Sequence, residues 1–415
     1  MRNWSRHVTF SAERNESPSS VGELRRLVAT STRIHALGTG HSFNEIADTR
    51  GVHVSLRGLR DDVDVDVDNG FAWLPSGMRY GEAARILDDR GLALHNLASL
   101  GHISVGGSVA TGTHGSGDRN LTLAAAVVRL EMVTAEGDLV VLSREDDPDL
   151  IAGCIVGLGA LGVVTRVGVL VQPRFDVRQY VIDDVPLDSV VHGFDEVFGS
   201  AYSVSFFTPW DPSRTGQVWM KRRDSQDAMD GSRTWSGGVV ATQPRHPLGG
   251  HDPVNCTEQG GVAGPWHERL PHFRLDFTPS SGDELQTEYL VDRAAAPGLL
   301  QALDAIAPRL APLVQVSEVR SMRADDLWLS GAYGRDTVGI HFTWRKTPEV
   351  LDILPELDEL LGQGDGRPHW GKLFRTRPDA LAQRYPRFDD FRELADRMDP
   401  DRKFRNDFLD TLLGP

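Results

Sequence analysis

The sequence predicts a two-domain α+β protein, and three observations point there. Its 415 residues exceed what one simple core holds, so two domains of roughly 150–250 residues are expected. Short strand and helix patterns alternate as far as Pro173, where the composition changes. Beyond it come strands that read as an antiparallel sheet with helices beside them, until a second change at Arg367. The expected divisions are therefore 1–173, 174–366 and 367–415.

Charge and cysteine usage narrow the function classes. The net charge of −15, from 44 basic and 59 acidic residues, argues against a broad nucleic-acid footprint, which needs clustered Lys and Arg. An acidic protein must bind a pyrophosphate locally, through backbone N–H groups and hydroxyls. Cys154 and Cys256 are the only cysteines, too few for a disulfide framework or a Cys-rich metal site, which suits a reducing cytosol. No apolar run reaches ~18 residues, and residues 1–18 show no apolar signal region, so a cytoplasmic protein without membrane contact is expected. Asn255-Cys256-Thr257 is then a chance glycosylation sequon.

The elements follow in order. Residues 20–29 form an amphipathic helix with Leu24, Leu27 and Val28 on one face. A strand over 33–37 runs into the turn 38–45, GTGHSFNE. Gly38 and Gly40 can take positive φ and admit a close neighbour, and His41 stands at the lip. These eight residues alone leave two readings open: a flavin site with His41 bonded to the ligand, or a plain turn with a surface histidine. Strands over 52–56, 63–67 and 71–74 follow, the last two joined by Asn69-Gly70, a hairpin signal. Asp64, Asp66 and Asp68 are spaced as in a calcium loop, but Asn69 stands where that loop needs glycine, and an edge strand is the better reading. A helix over 80–90 ends at Gly91.

A second glycine-rich stretch spans 96–117, NLASLGHISVGGSVATGTHGSG. It is nearly uncharged, rich in hydroxyls and long for a loop, which marks it as functional. A hairpin over 124–142 and a helix begun by Asp147 and Pro148 lead to Gly157-Leu158-Gly159-Ala160-Leu161-Gly162 and a strand over 163–171. Gly162, just before that strand, suggests another backbone approach to a ligand.

In the second region, strands are expected over 179–182, 204–207, 217–221, 286–290, 314–320 and 338–344, with helices over 188–198 and 294–307. The Gly/Pro/Ser/His-rich stretch 224–264 is irregular and suited to covering a site. Strand periodicity puts Glu318 and Arg320 on one face, and likewise His341 and Thr343, as a site or a structural ion pair. The C-terminal part carries Pro368-His369-Trp370-Gly371-Lys372 and a helical end over 388–413.

Several chemistries are set aside. GTGHSF lacks the third Rossmann glycine, which is Phe43 here. In His267-Glu268-Arg269-Leu270-Pro271-His272 the second histidine falls one residue too late for a zinc helix, and Pro271 breaks it. Around Ser104 and Ser108 the GxSxG pattern fails at His102 and Ala110, with no clear helix following.

Taken together, the GxGHS turn, the stretch 98–117, GALGVVT at 159–165, the Glu318–Arg320 pair and HWGK at 369–372 resemble the vanillyl-alcohol-oxidase group of flavoproteins. Within that group the chain is most similar to the alditol oxidases, near the sugar-lactone oxidases. The resemblance implies an FAD-binding domain of two α+β subdomains (PCMH-type), completed by the C-terminal tail, and an inserted substrate domain with an antiparallel sheet flanked by helices. FAD would be held by Gly38, Thr39, Gly40, His41, Ser42, Ser99, Ser104, Gly107, Thr111, Gly112, Thr113, His114, Gly159, Gly162, Val163 and His369, with a covalent bond from His41 to the flavin 8α-methyl. Ser99, Gln286, Glu318, Arg320, Thr343 and Lys372 would bind a polyol, with Arg320, Lys372, His341 and Glu318 catalytic.

The implied reaction takes a hydride from C1 of a xylitol- or sorbitol-type alditol to flavin N5, then reoxidises the flavin with O2, giving an aldose and H2O2. The protein is expected to be a monomer. Proline and methionine common near residues 95–102 in alditol oxidases are absent here, which bears on chain-length preference and oxygen access. Two alternatives stand beside this reading. One is an aldonolactone oxidase or dehydrogenase on the same fold, and the other a flavin-binding protein without turnover.

Overall fold

Elementary local rules account for several of the helix starts. The computed structural model describes residues 1–59, 62–226, 229, 233–276 and 282–414. The first helix, Val21–Thr30, starts where the Ser20 side chain accepts from Glu23 N–H. Asp147 does the same for Pro148–Ile155, and Asn406 for Asp407–Leu413. The Asn69-Gly70 hairpin joins Asp64–Asp66 to Phe71–Pro75, with Gly70 at φ +68°.

Two main sheets build the first region, beside a two-stranded pairing of Leu92–Ala93 with Gln172–Pro173. The smaller is parallel and places Val52–Val54 between Arg14–Glu16 and Ile34–Ala36. Its Ile34–Ala36 strand delivers the chain into the 38–42 turn. The larger is antiparallel, in the order Asp64–Asp66, Phe71–Pro75, Val163–Leu170, Val127–Val133, Leu139–Ser143. The second glycine-rich stretch is not all loop. Val105–Ala110 is a short helix, which its two glycines and β-branched valines concealed.

A ten-stranded sheet dominates the second region. Its central run is Thr215–Arg223, Ser203–Thr208, Val314–Met322, Thr337–Arg345, Glu284–Asp292 and Arg367–Pro368, all antiparallel. Alternation divides each strand. Val319, Ile340, Phe342, Trp344, Leu285 and Val291 are buried against the helices Ala296–Ala305 and Glu349–Gly362. Each such side chain contributes about 1.5–3 kcal/mol by leaving water. The residues between them, Glu318, Arg320, His341, Thr343, Gln286 and Glu288, therefore face the other way.

The expected helix over 188–198 is broken at Gly193 into Leu187–His192 and Phe194–Gly199. Of the 224–264 stretch, residues 227, 228 and 230–232 lie outside the described residues. The remainder holds only short pieces such as Gly238–Val240 and Pro253–Asn255. Arg367–Pro368 pairs with the large sheet, after which Trp370, Tyr385, Phe391 and Leu409 join the core of the first region beside Leu74, Leu130 and Ile155. Among the described residues no helix is long and apolar enough to cross a membrane.

Candidate active site

One cavity of about 330 Å3 runs between the glycine turns and the polar face of the large sheet. Gly40 takes φ +68°, while Gly38 serves by closeness, since a Cβ there would lie 2.3 Å from Ser104 Oγ. That contact joins the two glycine-rich stretches, and Ser104 N–H adds a bond of 3.3 Å to Thr39 Oγ1. His41 Nδ1 lies 3.0 Å from Thr39 Oγ1, and the Trp4 indole stacks on its ring at 5.1 Å and 18°. Burial, with His102 nearby, pushes the His41 pKa down to about 4, so its imidazole is neutral. The turn also clasps HWGK: Phe43 N donates to Gly371 O at 2.7 Å, and Asn44 Nδ2 to the carbonyls of Trp370 and Lys372, each at 2.8 Å.

Across the cavity, strand register brings the charged groups together. Glu318 and Glu288 both pair with His341, from the strands on either side of it. Arg320 lies between the two carboxylates, its Nη2 2.8 Å from Glu288 Oε1 and its Nε 3.5 Å from Glu318 Oε1. Arg320 Nη1 donates to Ser99 Oγ at 3.2 Å, which ties the sheet to the second glycine stretch. His114 Nε2 lies 3.1 Å from Glu288 Oε1. Burial alone would raise both carboxyls. Contacts from His114 and Arg320 around Glu288, and from Arg320 and His272 around Glu318, outweigh it and keep both ionised.

Lys372 Nζ donates to Gln286 Oε1 and lies 3.3 Å from His341 Nδ1 and 4.0 Å from Glu288 Oε2. Burial lowers its pKa to about 8 against the pull of Glu288. His341 bonds Thr343 Oγ1 at 3.1 Å, and burial beside Lys372 lowers it to about 4. Burial likewise lowers His369 to about 3, and its Nδ1 accepts from Gly371 N at 3.0 Å.

Comparison with known proteins decides the family. Residues 16–143 match the sequence pattern of an FAD binding domain, and residues 283–412 that of D-arabinono-1,4-lactone oxidase. An alditol oxidase from a Streptomyces species is 47% identical over 99% of this chain and 98% of its own length. The chain belongs to the alditol oxidase family. It is accordingly an FAD-dependent oxidoreductase. An L-gulono-1,4-lactone dehydrogenase from Mycobacterium tuberculosis is 31% identical over 96% of this chain and 95% of its own. The crystal structure of cholesterol oxidase from B. sterolicum superposes with a TM-score of 0.79 over 99% of this chain and 96% of that one, at 14% identity, which speaks to fold alone.

The donors around the cavity suit the flavin that this oxidase family uses. Ser76 Oγ lines it, buried and without a hydrogen-bond partner among the described residues, beside Gly106 and Gly107. The residues expected to hold FAD all line the cavity except two. Gly112 turns at φ +67° toward Val156, and Val163 points into the apolar cluster of Leu24, Val28 and Phe404. Gly162 does line it, yet a Cβ there would lie 2.7 Å from Val133 O, so its glycine serves strand packing as well. All six residues expected to bind substrate, and His341, also line the cavity, Ser99 from the second glycine stretch and the others from the large sheet and the 369–372 segment. Sequence reasoning missed Glu288 and Trp4. Glu288 was within reach, because it follows Gln286 by two residues and so shares its face. Nothing local marks Trp4, which a backbone bond to Gly40 O brings over His41.

Proposed function

We propose that this oxidase acts on the terminal C1 hydroxyl of a neutral alditol, of the xylitol or sorbitol kind, and yields the aldose and hydrogen peroxide. The observation that carries this reading is the facing of two sets across one cavity. Glycine turns with His41 line one side, and a row of hydroxyl-binding side chains lines the other. FAD, when bound, takes the hydride at N5 and passes the electrons to O2. Glu318 accepts hydroxyl protons, while Ser99, Gln286 and Thr343 donate or accept, which suits a chain of hydroxyls. Arg320 and Lys372 stabilise the developing alkoxide as fixed positive charge in a dry site. His341, neutral through burial, takes part in moving the hydroxyl proton. His41, neutral and held by Thr39 and Trp4, carries the covalent bond to the flavin.

Charge balance favours a neutral substrate. The two cations Arg320 and Lys372 face two carboxylates, Glu288 and Glu318, so no surplus positive charge awaits an acid. A lactone substrate is the second reading, supported by the similarity of residues 283–412 to D-arabinono-1,4-lactone oxidase. Peroxide formed from xylitol or sorbitol, and none from aldonolactones, selects the first reading; the reverse overturns it. Flavin bleached by xylitol under nitrogen but slow to recover with O2 means a dehydrogenase, and Ala98, which lines the cavity, is then the residue to vary. Acid-precipitated protein is expected to stay yellow and a His41→Ala variant to lose that colour. A colourless parent precipitate sinks the covalent bond.

A further inference from the structure

Behind Glu318 a second polar layer runs away from the cavity. Lys221 comes from the Thr215–Arg223 strand and has a side chain buried to 1% exposure. Burial lowers its pKa to about 7 against the pull of Glu318, and below that pH it is an ammonium whose three protons meet three acceptors: Leu270 O, Pro271 O at 3.0 Å, and His272 Nδ1 at 3.2 Å. An ammonium only donates, so Nδ1 of His272 must accept. The neutral ring then carries its proton on Nε2, which lies 2.8 Å from Glu318 Oε1. Phe207 and Trp219 hold the ring edge-on, each at 5.3 Å. His272 N also donates to Ser99 O at 3.1 Å, which anchors the segment to the second glycine stretch.

We infer that Lys221 and His272 are positioning residues that form a tautomer lock on Glu318, fixing it as a pure hydrogen-bond acceptor for substrate hydroxyls. The inference rests on the reading of Glu318 as a polyol-binding group. Oε1 is engaged by His272, with Arg320 Nε 3.5 Å away, and Glu318 lines the cavity. A carboxylate so held welcomes a hydroxyl donor and repels a carbonyl or carboxylate oxygen at that position. Lys221 thus acts on substrate class from behind the cavity, through His272, which lines it. With Glu318 acting as a hydroxyl-binding group, loss of the lock is expected to weaken ground state and transition state alike.

The test uses the holoenzyme and peroxide formation from xylitol. In His272→Leu, KM is expected to rise about tenfold or more while kcat changes less than about threefold. His272→Gln, whose side-chain amide can still donate to Glu318, recovers KM to within about threefold of the parent. A His272→Leu variant with full flavin content and the parent KM overturns the lock, as does equal damage from both substitutions. Histidine labelled with 13C and 15N supplies a second measurement that does not depend on the leucine variant folding. The ring signal lost in His272→Gln must report the Nε2–H tautomer in the parent, and an Nδ1–H signal overturns the inference. Burial is the largest cause of the low His272 pKa and Lys221 the next, so in Lys221→Met that ring is expected to take its second proton at a higher pH than in the parent. The charged groups left facing it are then Glu318 and Arg320. A titration that does not move from the parent's removes Lys221 from the lock. A parent inactive on xylitol overturns the polyol reading instead, while the tautomer signal still decides the lock.

Discussion

Glu288 is the residue on which the site's charge balance turns. Its two oxygens are shared among His114, Arg320, His341 and Lys372. In the proposed reaction Lys372 keeps its proton to stabilise an alkoxide, and burial, outweighing the attraction of Glu288, lowers its pKa to about 8. Turnover should therefore fall as pH rises through about 8 in the parent. Replacing Glu288 with Gln removes the carboxylate that holds the Lys372 pKa up, so the alkaline limb moves to lower pH. It also leaves Arg320 and Lys372 facing each other with less compensation, and kcat is expected to drop by about a hundredfold. A kcat-versus-pH profile with xylitol checks both. A limb at the parent's position in Glu288→Gln shows that Lys372 is not the group that titrates.

At the scale of elements, alternation along the strands does most of the work. The same two-residue period that buries Ile340, Phe342 and Trp344 under helices delivers His341 and Thr343 to the cavity. That period was legible in the sequence, and so were the ExR face, the Asn69-Gly70 hairpin and the Asp147 cap. Applied to Gln286, it would have given Glu288 too. The Val105–Ala110 helix was hidden because local propensity argues against it and only tertiary contacts decide it. The Glu349–Gly362 helix was not anticipated, since Pro355 inside it reads as a breaker. Gly162 lines the cavity, and strand packing gives it a reason that its sequence context did not show. It sits at φ +152° with the Val133 carbonyl filling the place of a Cβ. Gly162→Ala should cost about 2 kcal/mol through backbone strain and crowding, read as a lower midpoint in denaturant unfolding. An unchanged midpoint would mean that the strand yields, leaving ligand approach as the reason for that glycine.

For the whole molecule, the decisive feature is a chain that leaves the first region, builds the large sheet, and comes back. Residues 367–372 sit at the crossing. Arg367–Pro368 extends the sheet, His369 N bonds Glu288 O at 2.9 Å, and Trp370 enters the first core. The late helices then pack behind the cavity wall, where Phe391 shares a core with Cys154, Ile155 and Leu158, which line the cavity. The glycine-turn side of the cavity is thus completed by residues more than three hundred positions after that turn, a dependence no local pattern reveals. Two truncations of buried side chains separate the cores. Phe391→Ala should cost about 3–5 kcal/mol and Leu300→Ala, in the second core, about 2–5 kcal/mol, so both lower the unfolding midpoint. Only Phe391→Ala loosens the wall behind Ile155, so only it should lower flavin content per chain, measured by absorbance below the melting range. Equal flavin loss in the two variants would show that the cofactor responds to overall stability and not to the returning C-terminal segment.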